Sequence, residues 1–318
     1  MADFDVTLAG ELNVDLILYG LPSELPVERE ILAEGMMFTI GGSSAIVAHN
    51  LAALGARVGF IARVGDDAMG NAMLERLAGG GVDVSRVQRA GDGTPTGVSV
   101  ILQRGKQRSI LTYLGTISQL KFADLDLAYL ASSRHFHLSS FYLQHELQPR
   151  VVDLFRELKR AGLTISLDTN DDPDDRWEKL TDILPLVDVF LPNEREARRI
   201  AGTNDVELAA ERLVKIVPTI VIKLGAMGAM AQRGTERILV PAVKVEAIDA
   251  VGAGDSFNAG FLLQYVRGSD LRSCLQWGNL AGALSTTRAG GTEAFRDRSY
   301  CKKFFREHVP ELDHRHRS

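Results

Sequence analysis

Short apolar runs alternate with longer stretches of helical periodicity along most of this chain. The runs at 6–9, 58–64, 135–138, 164–168, 187–191 and 219–224 are rich in Val, Ile and Leu with little polar alternation. That is the pattern of strands buried on both faces. Between them, apolar residues spaced by three and four predict helices near 43–54, 67–78, 145–161, 193–201, 205–215, 254–267 and 270–287. Strands alternating with helices imply an α/β fold, a largely parallel sheet covered on both faces. Two segments break the rhythm. One spans about 11–39 and contains Gly20, Pro22 and Pro26; the other spans about 93–115, where 96–102 and 109–114 flank the turn 103–107. The second reads as a β-hairpin, and together the segments predict a small β lid of the kind that keeps water from reactive phosphate chemistry.

The 318 residues, 45% of them hydrophobic, suffice for a substantial core in one or two domains. A formal charge of −5 without a long basic run argues against nucleic acid as a partner. The opening residues Asp3 to Thr7 lack the charged and apolar regions of a signal peptide, and no apolar stretch approaches the roughly 20 residues a bilayer demands. Cys274 and Cys301 are too few for a disulfide framework or a zinc site, so the expectation is a cytoplasmic protein in a reducing compartment. The His pair at His314 and His316 reads as a frayed tail rather than metal ligands.

The most informative stretch is Asp249-Ala-Val-Gly-Ala-Gly-Asp255, a small-residue turn that feeds the predicted helix 254–267. Unpaired N–H groups and the positive end of the dipole make such a turn an anion site. Asp255 on that turn is suited to deprotonating a hydroxyl beside a phosphoryl group, or to capping the helix. Asn13 and Asp15 follow the first strand, where polar side chains line the crevice of an open sheet and can grip hydroxyls. Gly41 and Gly42 precede the helix at 43–54 and permit close approach of a ligand; His49 within that helix reads as a core histidine. Asp168 ends a strand and is followed by Asp171, Asp172, Asp174 and Asp175, four acids that read as a solvated loop. Asn193 and Glu196 fit either a capping box or a phosphate contact beside a magnesium ion held through water. Lys223, Gly225 and Gly228 sit at a strand end, and Asn279 lies inside the helix 270–287. The chain lacks a P-loop and the Gly-rich dinucleotide fingerprint.

Taken together, Gly10…Asn13-Val-Asp15, Gly41-Gly42, Gly65-Asp66-Asp67…Gly70, Asn193…Glu196, Lys223-Leu-Gly225…Gly228, the 249–255 motif and Asn279 resemble the ribokinase-like (PfkB) carbohydrate kinases. The resemblance implies one three-layer α/β/α domain with a β lid, and transfer of phosphate from ATP with Mg²⁺ to a primary alcohol. The acceptor would be a sugar of the ribose, fructose or 2-keto-3-deoxy sugar acid class. Asp255 would be the base, with the N–H groups of Gly252, Ala253 and Gly254 as anion hole. Asn13, Asp15, Gly41 and Gly42 would hold sugar hydroxyls. Asn193, Lys223, Gly225, Gly228, Gly254 and Asn279 would contact ATP, and Glu196 would organise Mg²⁺. A K⁺ site is implied at Asp249, Val251, Ser285, Arg288 and Gly290, and a homodimer through lid strands.

The chain departs from the family at Ser43, Ile46, Ser139-Ser140-Phe141 and Gly115-Thr116-Ile117, positions that bear on the substrate. A nucleoside kinase, stacking the base on Phe141 or another aromatic, is therefore the alternative enzyme. A sugar-binding sensor without chemistry is the alternative from another class.

Overall fold

The computed structural model describes residues 2–105 and 107–308. The tail containing His314 and His316 lies outside the described residues. In chain order the first strands and helices are β1 (Phe4–Ala9), β2 (Asn13–Tyr19), β3 (Gly35–Gly41), α1 (Ser43–Ala53), β4 (Val58–Ile61), β5 (Arg63–Gly65) and α2 (Ala68–Gly79). Then come β6 (Val82–Asp83), β7 (Gln88–Ala90), β8 (Val98–Arg104), β9 (Gln107–Tyr113), α3 (Leu127–Ala131), β10 (Ser133–Ser139) and α4 (Val151–Arg160). The remainder is β11 (Thr164–Asp168), β12 (Val189–Phe190), α5 (Glu194–Ala201), α6 (Val206–Leu213), β13 (Thr219–Lys223), β14 (Ala229–Arg233), β15 (Glu236–Val240), α7 (Ala253–Val266), α8 (Leu271–Thr286), α9 (Glu293–Arg296) and α10 (Arg298–His308).

A 9-stranded sheet in the order β15-β14-β13-β12-β11-β10-β1-β4-β6 forms the middle layer. From β13 to β6 the strands are parallel, while β14 and β15 add an antiparallel edge. One face packs on α1, α2, α7 and α8 through Val6, Leu8, Phe60 and Phe261. The other packs on α4, α5 and α6 through Phe136, Leu138, Ile165 and Leu167. The expected three-layer α/β/α architecture is what the chain adopts. Among the described residues, no helix is long and apolar enough to cross a membrane.

The two segments that break the sequence rhythm form a separate 4-stranded sheet, β3-β2-β8-β9. Its hairpin β8–β9 is antiparallel, as expected, and β9 is an edge strand with Ile110, Leu111 and Tyr113 exposed. Asn13 and Asp15 belong to β2 of this lid, not to a loop of the main sheet. The predicted strand 58–64 is two strands, because β5 leaves the main sheet to pair with β7. The helix expected from 145 starts as a 3-10 turn at Gln148–Arg150, where Pro149 supplies no N–H, and is α-helical only over Val151–Arg160. The hairpin of β14 and β15, turning at Gly234 with φ 56, was not among the predicted strands.

Strands β10 and β11 are not apolar on both faces. Beneath α7 they present a ladder in which His135 bonds the Thr164 hydroxyl at 2.7 Å and that of Ser166 at 2.7 Å. His137 bonds Ser166 at 2.7 Å and Ser139 at 2.8 Å, so each ring nitrogen has a partner. Burial pushes His135 down to about 3. Burial also lowers His137, to about 4, the Asp168 charge opposing and Lys223 reinforcing the shift. Because these folded values lie below that of a free imidazole, the neutral rings cost stability as pH falls below about 6.5. Relative to His135→Gln, the natural chain should therefore lose about 2 kcal/mol on going from neutral pH to about pH 5. Chemical denaturation at both pH values checks this; a constant difference between the two proteins would contradict it.

Candidate active site

The site is organised by the first turn of α7. Gly252 is the N-cap with φ 69, and a Cβ there would lie 2.6 Å from the Gly291 Cα. Only glycine satisfies both the left-handed backbone and that contact. No side chain caps the helix, and the Ala253 N–H bonds the Ala250 carbonyl at 3.3 Å. The N–H groups of Gly252 and Gly254 have no protein acceptor among the described residues and are free for an anion. Asp255 occupies the same turn and is 8% exposed. Burial, then the charge of Asp168, pushes its carboxyl up to about 6, while Lys223, Ser43 and Asn170 favour the ionised form.

Below Asp255 lies a buried ion pair. The Lys223 ammonium donates to Asp168 Oδ2 at 2.5 Å, and the Asn258 amide of α7 donates to the same oxygen at 2.6 Å. Burial works against the Lys223 charge, but Asp168 and Glu196 outweigh it and raise the ammonium above its ordinary value. The geometry thus gives Asp168 a partner and aims the Lys223 ammonium at Asp168 and Asn258.

Above Asp255 sits the lid. Asp15 is 6% exposed; burial, then the Asp255 charge, pushes it up to about 8. The two carboxylates therefore sense one another across the acceptor space. Gly41 and Gly42 are dictated by this packing, since a Cβ at Gly41 would lie 2.2 Å from Asp15 Oδ1 and one at Gly42 2.7 Å from Asn13 Oδ1. Both pack against Asn13 and Asp15 of β2.

At the start of α5, Asn193 caps the helix by accepting from the Glu196 N–H at 2.9 Å, while Glu196 Oε2 accepts from the Asn193 N–H at 2.8 Å. The capping box is real, and it holds a carboxyl that burial, then Asp168, pushes up to about 7. Gly225 has φ 58 and Gly228 φ 102, shaping the turn after β13. The Asn279 amide nitrogen donates to the carbonyls of Val240 and Pro241 at 3.0 Å each, so this group clamps β15 onto α8. It is not available to a nucleotide as a donor in this arrangement.

The 249–251 turn meets the end of α8. Asp249 accepts from the N–H groups of Val251 at 2.9 Å and Gly290 at 3.0 Å, and from the Tyr19 hydroxyl at 2.8 Å. Ser285 Oγ is buried without a partner nearby. Arg288 points its guanidinium to Asp297 at 3.0 Å.

Some site residues were not found in the sequence. Glu11 is 2% exposed and accepts from the Ser44 N–H at 3.1 Å and hydroxyl at 2.9 Å at the start of α1. Asn170, with φ 53, donates to Ser43 Oγ at 2.9 Å and accepts from the Ser140 N–H at 2.9 Å. An Asn two residues beyond a strand-ending Asp was a usable signal for it. Of the acidic loop, Asp171 and Asp175 pair with Arg195, but Asp172 is buried and accepts from the N–H groups of Arg176 and Trp177. The solvated reading fails for Asp172 because those amides need an acceptor. Phe141 is fully buried against Tyr142, at 5.1 Å between ring centres, and offers no face to a nucleoside base.

Comparison with known proteins bears on this geometry. The model of the pfkB family carbohydrate kinases matches residues 3–298. A 2-dehydro-3-deoxygluconokinase of Bacillus subtilis is 30% identical over 279 residues, covering 83% of this chain and 86% of the relative. A ribokinase of Haemophilus influenzae is 27% identical over 316 residues, covering 96% of this chain and 99% of the relative. Among solved structures, Arabidopsis thaliana ribokinase complexed with ribose and ATP superimposes with a TM-score of 0.80 at 24% identity, covering 96% of this chain and 99% of that one. An E. coli structure assigned as ribokinase II, in complex with ATP and Mg²⁺, gives 0.82 at 25% identity, covering 96% of this chain and 100% of that one.

Proposed function

The chain belongs to the pfkB family of carbohydrate kinases, and from that premise we propose that it phosphorylates a primary hydroxyl of a neutral sugar, with Asp255 as general base. The family supplies the reaction class: ATP-dependent phosphoryl transfer to a sugar or nucleoside. The observation that carries the finer reading is the pair Asp15 and Asp255, buried together with Asp15 pushed up to about 8. Near neutral pH the Asp15 carboxyl stays largely protonated beside an ionised Asp255, so it can donate to one sugar oxygen and accept from a hydroxyl, while the remaining negative charge disfavours an anionic acceptor. This favours a ribose- or fructose-like polyol over a sugar acid. Phe141, the aromatic named for base stacking in the nucleoside reading, is buried.

In this proposal the acceptor hydroxyl gives its proton to the Asp255 carboxylate as its oxygen attacks the γ-phosphorus. The bond to the β-phosphate oxygen breaks and ADP leaves. The free N–H groups at the start of α7 receive the charge that collects on the transferred phosphoryl oxygens. Asn13 and Asp15, carried on β2, orient the sugar, and closure of the lid keeps water out. Glu196 fits a Mg²⁺ site made largely of water and nucleotide phosphates, since no cluster of three ligating acids exists among the described residues. Mg²⁺ would supply neutralisation of phosphate charge. A K⁺ ion would be held by backbone oxygens of Asp249, Val251, Ser285, Arg288 and Gly290, around the turn that Asp249 fixes by accepting from the Val251 and Gly290 N–H groups.

A panel of sugars, sugar acids and nucleosides with an ADP-release assay tests the reading. Turnover is expected with a neutral sugar, and Asp255→Asn should lower kcat by about 10² or more while ATP still binds. Near-normal turnover in that variant, or activity only with a nucleoside, would contradict the proposal. The base must be ionised, so kcat/KM should rise with pH through about 6 and level off above it. A profile that stays flat from pH 5 to 8 would remove Asp255 from that role.

A further inference from the structure

A second cavity, of about 330 Å³, lies outside the kinase site, where α1, the C-terminal end of α2 and α9 meet. That volume is at the lower end of small-ligand pockets. Three guanidinium groups line it: Arg76, Arg296 and Arg298. Arg76 and Arg298 have no carboxylate within ion-pair distance among the described residues, while Arg296 pairs with Glu293 at 2.6 Å. Glu75 is the acid in the wall, so the guanidiniums outnumber it.

At the floor is His49, 1% exposed. Its tautomer follows from its neighbours. The Asn50 amide nitrogen donates to Ser256 Oγ at 2.9 Å and to the Gly291 carbonyl at 3.0 Å, which leaves Asn50 Oδ1 as acceptor. His49 Nδ1, 2.9 Å from that oxygen, must therefore carry the proton. Nε2 is left as an acceptor with no partner among the described residues, in a ring that lines the cavity. Burial keeps this imidazole below its ordinary value, so it remains an acceptor at neutral pH. Gly80 makes room for it, since a Cβ there would lie 2.6 Å from the ring.

We propose that this cavity binds a small phosphorylated molecule, with the arginines on the phosphate oxygens and His49 Nε2 accepting from an O–H of the same ligand. Guanidinium forks match phosphate geometry, and the lone acceptor asks for the hydroxyl of a sugar phosphate or of hydrogen phosphate.

The cavity is wired to the kinase site at two places. The Arg76 guanidinium donates to the Phe38 carbonyl of lid strand β3 at 2.7 Å, and the next residue, Thr39, donates to Glu293 Oε1 at 2.7 Å. A phosphate that draws Arg76 toward itself competes with the Phe38 tie of the lid, and one that draws Arg296 away alters the Glu293 carboxylate to which Thr39 is bonded. From His49, the Asn50 bond to Ser256 reaches the first turn of α7, where the Ser256 hydroxyl donates to the Gly252 carbonyl at 2.8 Å. Occupancy therefore loosens the lid and weakens acceptor binding, a coupling carried by contacts that differ between the two states.

The binding half stands without the proposed function, whereas the coupling half rests on it, so the two are measured separately. Calorimetry would titrate inorganic phosphate and, in a second arm, fructose 6-phosphate into enzyme saturated with Mg²⁺ and a non-hydrolysable ATP analogue, which fills the anion hole. Saturable binding that weakens at least about tenfold in Arg298→Glu, and again in Arg296→Glu, is expected, and the tighter arm identifies the source of the phosphate. Unchanged melting temperatures in these exposed-site variants establish that they fold. No binding in either arm, or binding that both variants retain, overturns the site. With the acceptor found by the substrate panel, saturating anion should raise acceptor KM about threefold or more in the natural chain and not in Arg298→Glu. An unchanged KM, or an equal rise in the variant, overturns the coupling.

Discussion

The buried contact between Lys223 and Asp168 is the constraint on which the active site depends. It joins the ends of β13 and β11, and Asn258 extends it to α7. Three elements that approach from different parts of the chain are thereby held in one register under Asp255. A buried pair of this kind contributes little net stability over an apolar substitute, but loss of one partner strands the other at a cost of about 3–5 kcal/mol. Its value here is electrostatic. Asp255 is buried next to Asp168, two effects that would keep it protonated, and the Lys223 charge offsets them enough to leave Asp255 ionised near neutral pH.

The lid completes this balance from above. Asp15 adds a further acid to the enclosed space, held up at about 8 by burial first and then by the Asp255 charge. An empty closed site is thus under electrostatic tension that hydroxyl donors, cations and the amides of α7 relieve. Tyr19 and the packing of Ile17 and Ile101 on Val251 tie the lid to the turn before α7. Asp67 anchors the other base of the lid, accepting from the Thr96 N–H at 2.7 Å and hydroxyl at 2.8 Å. The Gly65…Gly70 motif therefore packs against Thr96 at the start of the lid hairpin, and a Cβ at Gly70 would collide with the Gly65 carbonyl at 2.4 Å.

The parallel sheet, the helices after it and the lid hairpin were legible because apolar period and turn residues are local signals. The 249–255 turn was legible for the same reason: its glycines and acid are contiguous. Residues whose role depends on a distant partner were not. Glu11 acquires meaning only from Ser44, Asn170 only from Ser43 and Ser140, and Lys223 is drawn inward only because Asp168 lies across the sheet. Motif position alone made Lys223 and Asn279 nucleotide contacts; the fold gives their nitrogen atoms structural partners. The polar ladder of His135 and His137 also escaped notice, since strand periodicity does not reveal which side chains find hydroxyls on the neighbouring strand.

The central claim is that Lys223 keeps Asp255 ionisable within a crowd of buried acids. The most direct test is a carbon-13 carboxylate titration of Asp255 in the natural chain and in Lys223→Gln, followed by NMR. The account predicts a midpoint near 6 in the natural chain and a clear upward shift in the variant. A midpoint that does not move when the ammonium is removed would contradict it.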